Sequence, residues 1–285
     1  MTKVKITKII AIVVLVFIFS LASLGLINYF LYHNNKKMVI LTWHRVVSSE
    51  VKEKYFKDNE WVNDLSLFEK QIKYLHDNGY KSLSLDEYYE WYSGKKEYDT
   101  SKTCVITFDD GDIENYYNVL PVLKKYNFKA TVFIVGSKVL PSVDWPVDSK
   151  DRYYLTEELI EKMKVEYPNF EVQNHTYDMH RKNAKGVPIV SDMGREEIEE
   201  DFDKMAKYDM KYLAYPHGYC TKLIQEIAEE KGYKLAFGFT KYGPSSAKDD
   251  KYNIRRVKVS GTSGMLKFKW NLRLRLTNNK TNKIK

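Results

Sequence analysis

Two adjacent carboxylates, Asp109 and Asp110, follow an apolar run from Cys104 to Phe108 and directly precede Gly111. The apolar run predicts a buried strand. Because neighbouring side chains of a strand point to opposite faces, both acids reach one site only if the strand ends there and the turn redirects one. Such a pair can divide two tasks, with one carboxylate binding a metal ion and the other transferring protons. The alternative is a strand end at which Asp-Asp-Gly only makes a turn.

A second candidate cluster is the segment Asn174-His-Thr-Tyr-Asp-Met-His180, in which His175 and His180 are five residues apart. On a helix this spacing would place the two rings roughly 140° apart around the axis, too far for one ion. A loop after a strand can instead turn both imidazoles toward one point. Two histidines and one carboxylate with open coordination positions form a known arrangement for divalent metals. The alternative is a pair of surface histidines.

The elements around these residues alternate between strand and helix from Met38 to Gly264. Strands are predicted from Met38 to Thr42, Ser82 to Leu85, Thr103 to Phe108, Ala130 to Val135, Phe170 to Gln173, Tyr212 to Tyr215, Leu235 to Phe239 and Ile254 to Val259. Helices are predicted from Leu67 to Asn78, Asp86 to Tyr92 with Asp86 as the cap, Tyr116 to Tyr126, Glu196 to Tyr208 and Leu223 to Lys231, and after a Thr156 cap. This pattern predicts an α/β fold of parallel βα units, either a closed barrel or an open doubly wound sheet. No Gly-x-Gly-x-x-Gly follows a strand, so dinucleotide binding has no support.

The N-terminal segment from Ile9 to Leu31 is apolar and carries no charge. About 20 such residues can span a bilayer as a helix. Lys3, Lys5 and Lys8 precede the segment and favour an N-terminus inside the cell. We expect a single-pass signal anchor in the cell membrane, with the rest of the chain extracellular. A cleaved signal peptide, which would give a secreted protein, is the alternative.

The composition, 44% hydrophobic in 285 residues, is sufficient for a large core. The net charge of +8 is concentrated at the two ends, and we expect no nucleic-acid partner. Cys104 and Cys220 show neither CxxC nor metal-site spacing, which favours two unpaired thiols over a disulfide. Basic and apolar residues alternate from Leu266 to Leu276 and predict a half-buried edge strand. The basic face of that strand could alternatively contact anionic cell-wall polymer or lipid headgroups.

Three motifs together resemble those of a known family: Thr107-Phe-Asp-Asp-Gly111, the His175 and His180 pair, and Tyr215-Pro-His-Gly218. Their order and spacing are similar to those of the polysaccharide deacetylases, the family 4 carbohydrate esterases with a NodB-homology domain. The resemblance covers roughly Met38 to Ser260 and implies a deformed (β/α) barrel. It divides the chain into an N-terminal anchor and linker (1–37), a deacetylase domain (38–264) and a basic tail (265–285).

The resemblance also implies a role for each motif residue. Asp109 would be the general base, and Asp110 would bind the metal ion together with His175 and His180. The ion would be Zn²⁺, with Co²⁺ or Ni²⁺ as alternatives. The third motif would contribute to oxyanion and substrate binding, through the backbone N–H of His217 in particular; its candidate residues are Tyr215, Pro216 and His217.

Two departures from the common family pattern concern the proton donor and the spacing of the metal ligands. Most members have a histidine acid near the C-terminal end of the domain, but no histidine follows His217 here. His44, in Leu41-Thr-Trp-His-Arg-Val46, resembles the acid of the branch that deacetylates poly-β-1,6-N-acetylglucosamine, the biofilm adhesin polymer. That branch also spaces its metal histidines five residues apart.

A third departure is Ala214, which occupies the place of an arginine that orients the base in other members. Arg256 is a candidate substitute, and a structural role for it is the alternative. The resemblance therefore implies a metal-dependent N-deacetylase acting on N-acetylglucosamine residues of an extracellular polysaccharide. The alternatives are a peptidoglycan or chitin-type deacetylase and a non-catalytic wall-binding protein.

Overall fold

The structure is a computed structural model that describes residues 12–24, 26, 37–145 and 150–274, without the side chains of residues 240–242. The chain divides into two units, Met1–Lys36 and Lys37–Lys285. Residues 12–24 of the first unit are helical, and their described side chains are exposed. A helix with both the length and the apolar character needed to span a bilayer is absent from the part of the chain that the structure describes. The predicted anchor also includes residues 9–11, 25 and 27–31, which lie outside that part.

The second unit is built around a parallel β-barrel, which decides between the two predicted architectures. Its strands are β1 (Lys37–Trp43), β2 (Arg45–Val47), β3 (Val62–Asp64), β4 (Lys81–Leu83), β5 (Thr103–Phe108), β6 (Ala130–Ile134), β7 (Phe170–Asn174), β8 (Tyr212–Ala214), β9 (Leu235–Tyr242), β10 (Ser245–Ser246) and β11 (Ile254–Lys258). Parallel pairing runs in the order β1-β11-β9-β8-β7-β6-β5, and β5 returns to β1, so the ring closes. Outside the ring, β4 extends β5, β10 pairs antiparallel with β1, and β2 pairs with β3.

The apolar strands are buried on both faces, as expected when helices cover a parallel barrel. Every residue of β1 and of β5 is buried. In β1, Val39 and Leu41 pack in one apolar cluster with residues of the surrounding helices, whereas Met38 and Ile40 belong to a second cluster. That second cluster draws on most of the ring strands, on β4 and on the segment 85–91, so alternate side chains of β1 serve two different layers.

The helices are α1 (Ser49–Tyr55), α2 (Leu65–Asp77), α3 (Leu85–Tyr92), α4 (Leu120–Tyr126), α5 (Glu157–Glu166), α6 (Arg195–Met205), α7 (Lys222–Glu230) and α8 (Met265–Arg273). A π-helical turn, Asn115–Val119, leads into α4. The predicted cap Thr156 is confirmed, because its side chain accepts from the N–H of Leu159. The predicted cap Asp86 is wrong: Ser84 caps α3 in a reciprocal capping box with Glu87, which satisfies two backbone N–H groups.

The predicted edge strand from Leu266 to Leu276 is also wrong, because the described part of that segment forms α8. Phe268 and Leu272 are buried four residues apart on one helical face and join the cluster that contains α2. The ring of Phe268 lies 6.1 Å from that of Trp43. Trp270, which the alternating pattern placed on the same buried face, is 54% exposed. The alternation of basic and apolar residues therefore does not mark a strand here, because the buried side chains follow the spacing of a helix.

Candidate active site

A pocket of about 620 Å³ opens at the carboxyl ends of the barrel strands. Parallel strands deliver the residues that follow them to one end of a barrel, where loops can form a site. Of the eight residues predicted for the site, the structure places six in the lining of this pocket. These are His44, Asp109, Asp110, His175, His180 and His217.

The two adjacent acids reach the same pocket because strand β5 ends immediately before them. Asp110 has φ 74° and Gly111 has φ 76°, so the chain turns through two consecutive left-handed residues. A left-handed conformation costs a residue with a Cβ roughly 1–2 kcal/mol. At Gly111 a Cβ would also lie 2.9 Å from Cγ2 of Ile134. The turn redirects Asp110, as the sequence required for a shared site.

The loop from Asn174 to His180 turns two imidazoles toward one point. Oδ1 of Asn174 accepts from the N–H of Thr176, which has φ 68°, at 2.6 Å. The buried carboxylate of Asp201 in α6 accepts from the next two backbone N–H groups, at 2.7 and 2.8 Å. The rings of His175 and His180 consequently lie 5.2 Å apart. Asp201 was not predicted, since nothing in its sequence distinguishes it from the other acids of α6.

Asp110, His175 and His180 present three potential ligand atoms within 4.8 Å of one another. Oδ1 of Asp110 lies 2.9 Å from Nε2 of His180 and 3.4 Å from Nε2 of His175. His175 Nδ1 lies 2.7 Å from the carbonyl oxygen of Ala214. Because a carbonyl only accepts, Nδ1 carries the hydrogen and Nε2 of neutral His175 presents a lone pair to the pocket.

The buried Oδ1 of Asp110 accepts no hydrogen bond of suitable geometry in this arrangement. An unpaired carboxylate oxygen that faces an imidazole lone pair is unfavourable unless a cation lies between them. The three side chains therefore fit a divalent ion with nitrogen and oxygen ligands.

Asp109 is held by a buried arginine on strand β11. Arg256 in β11 is fully buried and donates from two guanidinium nitrogens to the two Asp109 oxygens, at 2.6 and 2.8 Å. Burial alone would raise the pKa of Asp109, but its basic neighbours, Arg256 foremost, outweigh this effect and lower the pKa below the usual value. Arg256 therefore makes the contact to Asp109 that was expected of a substitute for an arginine at position 214.

His44 directly follows β1 and lies close to Asp109. Its Nε2 is 3.9 Å from Oδ2 of Asp109, and its side chain is 12% exposed. The ring packs edge-on against Trp61, with the centroids 4.6 Å apart. Burial lowers the pKa of His44, which makes its protonated form a stronger acid. Trp61 lines the pocket and was not predicted from sequence.

The third motif contributes less to the pocket than predicted. His217 has φ 57°, and its ring lies 4.4 Å from that of His180. Burial and the nearby cationic groups lower the pKa of His217 to about 4. Tyr215 and Pro216 do not line the pocket. Tyr215 is fully buried and donates its hydroxyl to the carbonyl of Tyr252, so its side chain does not face the pocket.

Comparisons with known proteins place these observations in a family. The family described as Polysaccharide deacetylase matches residues 96–236. YxkH of Bacillus subtilis strain 168, provisionally described as a polysaccharide deacetylase, is 33% identical over 199 residues, 69% of this chain and 66% of YxkH. The poly-β-1,6-N-acetyl-D-glucosamine N-deacetylase of Staphylococcus aureus strain MRSA252 is 28% identical over 242 residues, 80% of each chain.

Two solved structures have a similar fold. IcaB from Ammonifex degensii superposes with a TM-score of 0.67 at 22% identity, over 85% of this chain and 97% of IcaB. The Streptococcus pyogenes deacetylase PplD, solved with acetate, also has a TM-score of 0.67, at 24% identity over 83% of this chain and 98% of PplD. At these identities the likeness concerns the barrel architecture.

Proposed function

Because this chain belongs to the polysaccharide deacetylase family, we propose that it removes N-acetyl groups from N-acetylglucosamine residues of an extracellular polysaccharide. One observation carries the proposal: a potential metal-binding set and an arginine-bound carboxylate share one pocket. The metal-binding set is Asp110, His175 and His180, and the carboxylate is Asp109. A non-catalytic binding protein would have no need of both.

The reaction is hydrolysis of an amide. Water supplies the new oxygen of the released acetate, and the nitrogen stays on the sugar as an amine. A divalent ion, for which we propose Zn²⁺ with Co²⁺ or Ni²⁺ as alternatives, supplies an activated water and polarises the acetyl carbonyl when bound. Asp109 accepts the proton that the attacking water loses. Arg256 keeps Asp109 ionised and fixes the plane of its carboxylate. His44 donates a proton to the amine nitrogen as the C–N bond breaks.

Among sugar polymers we propose poly-β-1,6-N-acetyl-D-glucosamine as the substrate. The staphylococcal relative named for this activity matches this chain over 80% of each sequence. The position of His44 and the five-residue spacing of His175 and His180 support the same subgroup. Deacetylation would leave cationic amines that bind the polymer to an anionic cell surface. Deacetylation of peptidoglycan or of a chitin-type polymer is the alternative outcome of the test.

The test measures free amines released by the full chain from β-1,6-linked N-acetylglucosamine oligomers, from chitin oligomers and from peptidoglycan. We expect release from the β-1,6 oligomers, and loss of release in Asp109→Asn and after chelation. Asp58→Asn, at an exposed acid outside the pocket, is the matched control and should behave as wild type. Equal release by wild type, Asp109→Asn and chelated protein would overturn the catalytic proposal. Release from peptidoglycan alone would overturn only the choice of polymer.

We also propose that the segment from Ile9 to Leu31 anchors the protein in the cell membrane, with the deacetylase domain outside the cell. The apolar length of the segment and the lysines before it support this proposal. Cell fractionation should recover the full chain in the membrane, and protease added to intact protoplasts should degrade its domain. Recovery of a shortened chain in the medium would favour a cleaved signal peptide instead.

A further inference from the structure

Arg152 contacts the metal-binding carboxylate but has no part in the reaction described above. Its guanidinium donates to Oδ2 of Asp110 at 2.6 Å and to the two oxygens of Asp112 at 2.5 and 2.9 Å. It lines the pocket, and its side chain is 37% exposed. One planar guanidinium therefore bridges two carboxylates that lie on the same turn after β5.

The contact divides the two oxygens of Asp110 between two partners. Oδ2 is bonded to Arg152, whereas Oδ1 faces His175 and His180 and accepts no hydrogen bond. If Oδ2 were free, a carboxylate could rotate and bind a metal ion through both oxygens. With Oδ2 held, only Oδ1 is available, and more coordination positions stay open for water and substrate.

The pairing with Asp112 allows Arg152 to orient Asp110 without adding net charge beside the ion. Asp112 is fully buried, and a buried carboxylate requires a cationic partner. Its two contacts with Arg152 neutralise the guanidinium locally. An unpaired arginine at this distance would instead weaken the binding of a cation by charge repulsion.

The backbone that carries Arg152 is itself fixed to the strand region next to His44. Arg45 donates to the carbonyl oxygens of Lys150 and Asp151, at 3.2 and 2.8 Å. Arg45 also bonds to the buried carboxylate of Glu114 at 2.8 Å. The segment around Arg152 is thus held by hydrogen bonds from the residue after His44.

We propose that Arg152 is a positioning residue that holds Oδ2 of Asp110 and so restricts Asp110 to binding the metal ion through Oδ1 alone. This inference rests on the proposed function for the identity of the site as a metal centre. The role proposed for Arg152 would give a metal site of fixed geometry with coordination positions left open for water and substrate, which a hydrolytic reaction requires.

The test titrates metal-free full-length protein with Co²⁺, following affinity and the visible d–d spectrum, which reports coordination geometry. The main variant is the double substitution Arg152→Met with Asp112→Asn, which removes the bridge but keeps the charge balanced. We expect affinity to fall roughly 10–100-fold, as for other groups that orient metal ligands, together with a changed spectrum. Arg195→Met, at an exposed arginine of α6 that pairs with Glu230, is the control and should match wild type.

Arg152→Lys is the second variant, because an ammonium keeps the charge but cannot bridge both carboxylates as the planar fork does. We expect its affinity to lie between those of wild type and the double variant. Wild-type affinity and spectrum in both variants would overturn the proposal. If the double variant does not fold, Arg152→Lys decides: a changed spectrum supports the proposal and an unchanged one overturns it. Because Co²⁺ binding is measured without turnover, a failure of this proposal can be distinguished from a failure of the deacetylase proposal, which would appear in the amine-release test.

Discussion

Asp109 and Asp110 are chemically identical neighbours, and their partners give them different environments. Asp109 is bonded through both oxygens to Arg256, and each oxygen keeps a second lone pair that can accept a proton. Asp110 leaves one buried oxygen unpaired beside two imidazoles. The first environment suits a base, and the second suits a metal ligand. The sequence was compatible with a division between proton transfer and metal binding, and the surroundings of each carboxylate favour that division.

Replacing Arg256 should shift the acid limb of the pH–rate profile. Burial raises the pKa of Asp109, and Arg256 makes the largest of the contributions that lower it, so Arg256→Met removes that contribution and raises the pKa. The base works only when ionised, and its activity is lost as the pH falls through its pKa. The acid limb of kcat/KM should therefore move to higher pH in Arg256→Met. Arg255→Met, next in sequence but paired with Asp249, should keep the wild-type limb; an identical limb in both variants would contradict the role of Arg256.

Replacing His44 should reduce turnover without affecting the metal site. His44→Gln removes the group proposed to protonate the leaving amine, a contribution typically of 10²–10⁴-fold in kcat. The metal-binding set does not include His44, so the bound metal measured by atomic absorption should equal that of wild type. His76→Gln, at a largely exposed histidine of α2, is the matched control. Unchanged kcat in His44→Gln would remove its assignment as the acid.

At the scale of elements, the sequence predicts strands better than it predicts their surroundings. The strand Thr103–Phe108 has the predicted bounds. All its residues are buried, as expected for an apolar run in a parallel sheet that is covered on both faces. The third motif was predicted to bind substrate, but the side chain of Tyr215 packs in the core. The bonds from Asp201 to the histidine loop depend on a helix that returns to that loop, which no local pattern encodes.

The correction of the C-terminal segment from strand to helix α8 is itself testable. In the helix, Phe268 is buried and Trp270 is 54% exposed, whereas an alternating strand would bury both. Phe268→Ala should therefore lower the free energy of unfolding by roughly 3–5 kcal/mol. Trp270→Ala should change it by at most about 0.5 kcal/mol. Urea denaturation of the two variants measures this, and equal losses would contradict the helix.

At the scale of the whole molecule, closure of the barrel assembles the site. β1 pairs with both β5 and β11, so His44 after β1, Asp109 after β5 and Arg256 in β11 meet at one end. The motif residues could be found from sequence because their types and spacing are unusual. From sequence Arg256 was only one of two interpretations and Arg152 was not found, because the two arginines lie 147 and 42 positions along the chain from the acids they bind.

Because the residues proposed to bind the metal ion come from two separate strand ends, a bound ion should stabilise the folded domain as a whole. Asp110 follows β5, and His175 and His180 follow β7, and unfolding separates them. An ion that binds only the folded state adds about 2.7 kcal/mol when its free concentration is 100 times Kd. For a domain of this size that corresponds to a rise of roughly 5–10 °C in Tm.

Calorimetry of chelated protein, before and after addition of Zn²⁺, should show this rise. Asp110→Asn should melt at nearly the same temperature with and without Zn²⁺, because an amide oxygen is a far weaker ligand than a carboxylate. Asp178→Asn changes an exposed acid within the histidine loop and should keep the full shift, which controls for nonspecific binding to surface carboxylates. A shift of equal size in wild type and Asp110→Asn would mean that the ion binds elsewhere, and the proposed metal centre would then be wrong.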